Sequence, residues 1–362
     1  MQHLSPPNAP RTASHTALPY SRPPSPRPNP LQIGFVGLGN MGYPMARNLA
    51  NYNAASAGSF LPLLVWNRSV NKTEALVKEV GSDKAHAAKD LDDMVQSCDI
   101  VITNLANDEV VKSIYQQFAK YLTEHPSTKN KIFAETSTVY PKVAGELDEL
   151  LFSCSHVHFI TSQVIGAPAA ADKAHLLILL SGDYRSKKEV AHIFVPAIGH
   201  KVIDLGGDVV KAPTFKLIAN SLILGNLEIL AEAFTMADKS GIEPHRVLEL
   251  VQDILPAPPI VNYANKIANG LFDGSKGFSI DGGIKDASHI RKLTEEHNSP
   301  MPVVDIAHQH LLAARALYQN DKAKGKAKFE TLDWSGLVAG TRVAAGLSGF
   351  DNQEVAPGGK NE

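Results

Sequence analysis

Cysteine is nearly missing from this chain: Cys98 and Cys154 are the only two in 362 residues. Two thiols cannot build a disulfide framework or a four-thiolate zinc site, so a reducing compartment is the expectation. An excess of one charge is also lacking. Lys+Arg 35 against Asp+Glu 37 leaves a net charge of -2, which gives no field to recruit nucleic acid or an anionic membrane. No apolar run approaches the roughly 18–20 residues needed to cross a bilayer; the longest candidates, such as residues 175–180, have the length of a strand. What remains is a globular mixture, 44% hydrophobic and 20% charged. At about 150 residues per domain, the length suggests two domains.

Residues 1–30 hold nine of the 23 prolines, three arginines and no acid. Proline removes amide donors, and too little apolar surface is left to offset chain entropy. A disordered tail is expected there, and another over residues 347–362. The Ser/Arg content without acid also resembles a mitochondrial transit peptide, but the prolines oppose the amphipathic helix such a peptide forms. A cytoplasmic protein is therefore expected, with a mitochondrial address as the alternative.

The run 31–36, LQIGFV, reads as a short buried strand and enters Gly37-Leu38-Gly39-Asn40-Met41-Gly42 directly; the following residues continue as a helix. Strand, G-x-G-x-x-G and helix are the setting of a dinucleotide fingerprint. Gly37 allows the tight turn, Gly39 lets backbone amides reach a pyrophosphate, and Gly42 lets helix and strand pack closely. The phosphates would sit at the positive end of the helix. Further strands are expected over 61–66, 99–105 and 131–135, with helices near 71–80, 91–97 and 108–122. This alternation predicts an α/β fold with a Rossmann-type doubly wound parallel sheet.

Cofactor choice is read at the end of the second strand, where an acid would accept the adenosine ribose hydroxyls and repel a 2'-phosphate. The sequence there is Asn67-Arg68-Ser69, followed by Lys72, with no acid. Asn67 and Ser69 offer hydrogen bonds and Arg68 a fork suited to phosphate oxygens. NADP is expected, with NAD the less favoured cofactor.

From Thr214 a stretch of about 26 residues is apolar enough for a buried helix, and Gly241 supplies a stop signal. Lys216 and Asn220, four apart, share one face of it. Both would point into the same space.

The run 34–46, GFVGLGNMGYPMA, matches the opening motif of the beta-hydroxyacid dehydrogenase family nearly residue for residue, and the order of later segments follows it to about residue 345. The chain thus resembles a family that includes 3-hydroxyisobutyrate dehydrogenases and glyoxylate/succinic semialdehyde reductases. The resemblance implies a Rossmann domain of the 6-phosphogluconate dehydrogenase NADP-binding type over 31–209 and an all-α substrate and dimerisation domain over 210–346, with the active site between them. It assigns Lys216 as general acid/base and Asn220 as its partner, since carbonyl reduction needs a proton donor where negative charge collects as hydride arrives and a lysine supplies both cation and proton. It places Leu105, Thr138 and Lys285 at the cofactor, and Phe278 and Asp286 at the substrate. Thr138 could equally be a helix cap before Pro141.

Two departures stand out. The family's D-A-P-V-S-G-G loop, whose serine and glycine amides hold a substrate carboxylate, reads Thr161-Ser162-Gln163-Val164-Ile165-Gly166-Ala167 here. Ile165 replaces the serine, although amides at Gly166 and Ala167 could still bind an anion. The family's G-x-G before the catalytic lysine reads Val210-Lys211-Ala212, where Lys211 could add charge or block space. These changes favour a larger or less polar substrate, or a protein that binds cofactor with little turnover.

The pairs His156/His158 and His308/His310 read as packing or surface residues, so no metal is expected. The run 322–328, KAKGKAK, reads as a solvated link. The expectation is an NADP-dependent oxidoreductase interconverting a 3-hydroxy acid, or related alcohol, and its carbonyl partner. Its partners would be a small-molecule substrate and a second copy of itself, with neither nucleic acid nor membrane. A catalytically weak NADP-binding sensor or scaffold is the alternative.

Overall fold

The structure, a computed structural model, describes residues 17–21, 29–56, 58–275 and 277–350. β1 (Ile33–Val36) is buried along its whole length, as a strand covered on both faces must be. Then follow α1 (Gly42–Ala55), β2 (Leu63–Trp66), α2 (Val70–Val80), β3 (Ala85–Ala87), α3 (Leu91–Ser97), β4 (Ile100–Thr103), α4 (Asp108–Glu124), β5 (Lys131–Glu135), α5 (Pro141–Phe152) and β6 (Val157–Ile165). These strands pair in parallel in the order β3-β2-β1-β4-β5-β6, the doubly wound sheet expected. The strands at 31–36, 61–66 and 99–105 are shorter than their apolar runs. Leu31, for example, leaves β1 to bridge Phe60.

After β6 comes α6 (Pro168–Asp172), too short a link for a parallel crossover. β7 (Leu176–Gly182) therefore returns antiparallel to β6. α7 (Tyr184–Ala197) and β8 (Gly199–Asp204) complete an eight-stranded sheet with β8 at its edge.

Part of the amino-terminal segment is packed, contrary to the expectation for residues 1–30. The Ala17 carbonyl accepts from the Val202 amide at 2.9 Å, and Tyr20 is buried, edge-on to Tyr184 at 5.8 Å. Ser21 accepts from Lys188 through its hydroxyl and meets His192 through its carbonyl, each at 2.9 Å. A single buried aromatic carries this docking, and a compositional reading gave it no weight. At the other end, residues 347–350 also pack: Arg342 donates to the Ser348 carbonyl at 2.8 Å, and Phe350 meets Phe272. The tail expectations for 1–16, 22–28 and 351–362 lie outside the described residues.

The second half is helical: α8 (Lys211–Lys239), α9 (Pro244–Ile254), α10 (Pro258–Ala268), α11 (Ile280–His297), α12 (Pro302–Ala323), a 3-10 turn (Trp334–Leu337) and α13 (Val338–Ala344). α8 buries Leu217, Asn220, Leu224, Leu227, Ala231 and Phe234, a three-and-four spacing that makes one continuous inward stripe. By length and composition α8 is apolar enough to cross a membrane. Lys216, Asn220 and Glu228 interrupt its apolar run, and its inward stripe is buried against the rest of the protein.

Candidate functional site

The fingerprint turn is built from forbidden side chains. Gly37 has φ of +101°, and a Cβ there would lie 2.2 Å from the Asn104 carbonyl oxygen. A Cβ on Gly42 would lie 2.0 Å from the Gly37 oxygen, so helix and strand meet at a distance that only glycine permits. Gly39 differs: a Cβ there would meet nothing within 4 Å. Its missing side chain leaves an open cradle at the start of α1. Among the described residues, no hydrogen bond engages the amides of Gly39, Asn40 and Met41. A cleft of about 710 Å³ opens against this turn, lined by Leu38, Gly39, Asn40, Tyr43 and Lys72 among others. Free amides, a helix start and open volume fit a dinucleotide's phosphates.

Asn67 is spent on structure. Its Oδ1 accepts from the Leu38 amide at 2.9 Å and its Nδ2 donates to the Ser69 carbonyl at 3.0 Å, locking the end of β2 to the fingerprint. Arg68, Ser69 and Lys72 are exposed. The Ser69 side chain does not cap α2, so its hydroxyl is available to a ligand. Asn40 Nδ2 reaches the Ser275 carbonyl of the helical half at 3.3 Å.

Two loops at the ends of β4 and β5 are joined by a buried carboxylate. Glu135 accepts from the Ser137 amide at 2.5 Å and from the Thr103 hydroxyl at 2.7 Å. Burial pushes its carboxyl up to about 7, against the opposing pull of hydrogen bonds from Ser137 and Thr103. Ser137 in turn accepts from the Leu105 amide at 2.7 Å, and Asn104 Nδ2 donates to Thr136 at 2.9 Å. Leu105 and Thr138 thus lie on loops fixed to each other. The N-cap of α5 is Tyr140, so Thr138 is not the cap.

Lys216 and Asn220 are buried on one face of α8. The Asn220 amide donates to Asp286 Oδ2 at 2.7 Å, and Lys285 Nζ lies 3.0 Å from Asp286 Oδ1. Lys285 also donates to the Thr138 carbonyl. One chain of contacts therefore runs from the β5 loop through Lys285 and Asp286 to Asn220, with Lys216 one turn away. Burial pulls the Lys216 ammonium down to about 8; Asp286 opposes that and Lys285 adds to it. A lysine so placed exchanges a proton near neutrality.

Asp286, expected against the substrate, is 1% exposed and holds Asn220. Phe278 stacks edge-on to Trp334 at 4.9 Å. Its amide donates to Asp333, which is fully buried and paired with Lys266 at 2.8 Å. Ile165 is half-buried at the end of β6; Gly166 and Ala167 are exposed. Lys211 lies in the first turn of α8, exposed and 3.9 Å from Asp208. Ala212 is buried, its amide donating to the Ser181 hydroxyl of β7. The segment Glu135-Thr136-Ser137-Thr138 resembles the family's Ser-Thr loop in sequence, but the roles of Glu135 and Ser137 in joining the two loops went unassigned. So did those of Asp108 and His289, which nothing local marks.

Residues 32–207 match the family model for the NAD binding domain of 6-phosphogluconate dehydrogenase, and residues 211–327 match that for the NAD-binding region of NADP-dependent 3-hydroxyisobutyrate dehydrogenase. The chain is 30% identical over 314 residues to the uncharacterized oxidoreductase YfjR of Bacillus subtilis (strain 168), covering 85% of this chain and 99% of that one. It is 27% identical over 315 residues to the mitochondrial 3-hydroxyisobutyrate dehydrogenase of Drosophila melanogaster, covering 83% and 87%. The crystal structure of 3-hydroxyisobutyrate dehydrogenase from Salmonella typhimurium shares the fold, with a TM-score of 0.69 at 17% identity over 85% of this chain and 99% of that one. Fingerprint, sheet, helical half and relatives agree, and the chain belongs to the beta-hydroxyacid dehydrogenase family of NAD(P)-dependent oxidoreductases.

Proposed function

We propose that this protein is an NADP-dependent oxidoreductase that interconverts a 3-hydroxy acid, or a related alcohol, and its carbonyl partner, with Lys216 as general acid/base. The observation that carries this reading is Lys216 itself: a lysine buried one turn from Asn220, lowered to about 8 and opposed by a single carboxylate. Reduced nicotinamide, when bound, supplies hydride to the carbonyl carbon. Lys216 then gives its proton to the carbonyl oxygen; in oxidation the neutral amine takes the hydroxyl proton back. Asn220, fixed by Asp286, keeps an amide at the same oxygen, while Lys285 joins α11 to the β5 loop.

NADP is favoured because Arg68, Ser69 and Lys72 are unpaired by any carboxylate among the described residues and no acid ends β2. Ile165 supplies neither hydroxyl nor charge to an acid-binding loop, which favours a substrate with an apolar body. Self-association as a homodimer or larger oligomer belongs to the same reading. Phe215, Leu222, Ile229 and Met236 are exposed at seven-residue intervals along α8, a stripe suited to a second copy.

A panel of small aldehydes and 2- or 3-oxo acids with NADPH tests the reading, alongside Lys216→Ala. The variant is expected to lose roughly 10²- to 10⁴-fold in turnover and to keep its affinity for NADPH. An unchanged rate removes Lys216 from the chemistry. Tight NADPH binding with no oxidation across the panel favours a sensor or scaffold instead.

A further inference from the structure

Helix α11 touches the nucleotide half at three points spaced along one face. Lys285, His289 and Lys292 stand at i, i+4 and i+7, positions that line up on a helix. Lys285 donates to the Thr138 carbonyl. His289 Nε2 lies 3.4 Å from Asp108 Oδ2. Lys292 Nζ sits 4.2 Å from the centre of the Tyr140 ring, on which the His289 ring also packs edge-on at 5.6 Å. Thr138 and Tyr140 belong to the loop that follows β5, and Asp108 is the first residue of α4, after the β4 loop.

The middle contact joins more than two elements. Asp108 opens α4, directly after the β4 loop that carries Leu105, and its carboxylate also accepts from the Tyr140 amide at 3.2 Å. This carboxylate ties the β4 loop to the β5 loop, and His289 ties both to α11. That helix also carries Lys285, so its register decides where the Thr138 carbonyl of the β5 loop is held.

We propose that His289 is a positioning residue that latches α11 to the two cofactor loops, so that it sets affinity for the dinucleotide rather than the rate of the chemical step. The proposal rests on the cofactor reading given above. His289 and Asp108 are both mostly buried, and His289 Nδ1 is buried without a hydrogen-bond partner. A neutral ring with its proton on Nε2 suits this setting, because a second proton on Nδ1 would have no acceptor. Burial holds the imidazole below the ordinary histidine value. Asp108, Asp286 and Glu109 pull it up, Lys285 pushes it down, and Lys292 shares the Tyr140 ring. The contribution of the latch is therefore complete above the ordinary histidine value and is lost as pH falls below it.

The test is NADPH binding by fluorescence without substrate, paired with kcat at saturating cofactor. His289→Leu is expected to raise the Kd for NADPH about tenfold and to leave kcat within about twofold. His289→Gln, which keeps a neutral donor, should return Kd to within about threefold of the parent. Asp108→Asn should weaken binding like His289→Leu, and the double variant should be no worse than the weaker single one. If His289→Leu does not fold, Asp108→Asn and His289→Gln carry the test alone. Kd values unchanged in every variant, or effects of the two sites that multiply, overturn the latch while leaving the cofactor reading intact. A parent protein that fails to bind NADPH at all overturns both.

Discussion

The nucleotide half and the helical half prepare for a ligand in opposite ways. In the first, the working surface is backbone: Gly37 and Gly42 exist because any side chain would strike a carbonyl, and Gly39 leaves free amides beside open volume. In the second, the working surface is ionisable side chains, with Lys216 and Asp286 buried and the half-buried Lys285 drawn against Asp286 by packing between helices. A backbone site keeps its chemistry at any pH and fails when atoms are added. A buried ionic site fails when one charge is removed or one proton is moved.

Steric failure should give the larger effect. Gly37→Ala forces an L-residue to φ of +101° and drives a methyl toward the Asn104 carbonyl. The combined strain and overpacking should cost about 2–4 kcal/mol of stability, read as a lower unfolding midpoint, and binding of either dinucleotide should be lost. Gly39→Ala is the contrast. Open space receives its methyl, so stability should hold while dinucleotide affinity falls. If both variants behave alike, the cradle at Gly39 is only a turn.

Proton-linked failure should be intermediate in size and should depend on pH. With Lys216 near 8, carbonyl reduction through the general acid proposed above would need the ammonium form at saturating substrate. It should run on a plateau below pH 8 and fall above it, and oxidation should show the mirror image. Asp286 is what holds the lysine up against burial. Asp286→Asn should therefore move both breakpoints to lower pH and reduce kcat about tenfold through loss of the charged partner of Asn220. A breakpoint that stays in place in this variant would separate Asp286 from Lys216.

The same contrast explains how far the residue order alone could be read. Glycines at fixed offsets after a strand report their own geometry, so fingerprint, sheet and cofactor class were visible locally. Lys216 and Asn220 were visible as a helical pair, but the partner holding Asn220 was not. Asp286 is 66 residues away, and helix packing alone brings it there. Glu135 ends a strand like any polar residue until the Ser137 amide and the Thr103 hydroxyl converge on it. The antiparallel return of β7 escaped for a related reason: the ten residues between β6 and β7 contain a single turn of helix, and only pairing reveals the direction. Tyr20 was hidden among prolines whose composition said nothing about one aromatic finding a cavity.

The smallest expected effect lies on the nucleotide half, where the site has side chains after all. Arg68 is exposed and Asn67 is committed to the Leu38 amide, so on the NADP reading proposed above discrimination would fall to Arg68, Ser69 and Lys72. A guanidinium in water is screened, and its pairing with a phosphate should contribute about 1 kcal/mol. Arg68→Ala should therefore weaken NADPH binding by only about five- to tenfold and leave NADH binding unchanged, with the difference shrinking as salt is raised from 50 to 500 mM. Equal losses for both dinucleotides would mean that Arg68 supports the loop rather than reading the 2'-phosphate. No loss for either would pass the task to Lys72, whose position at the rim of the fingerprint cleft lets it reach the same phosphate from the start of α2.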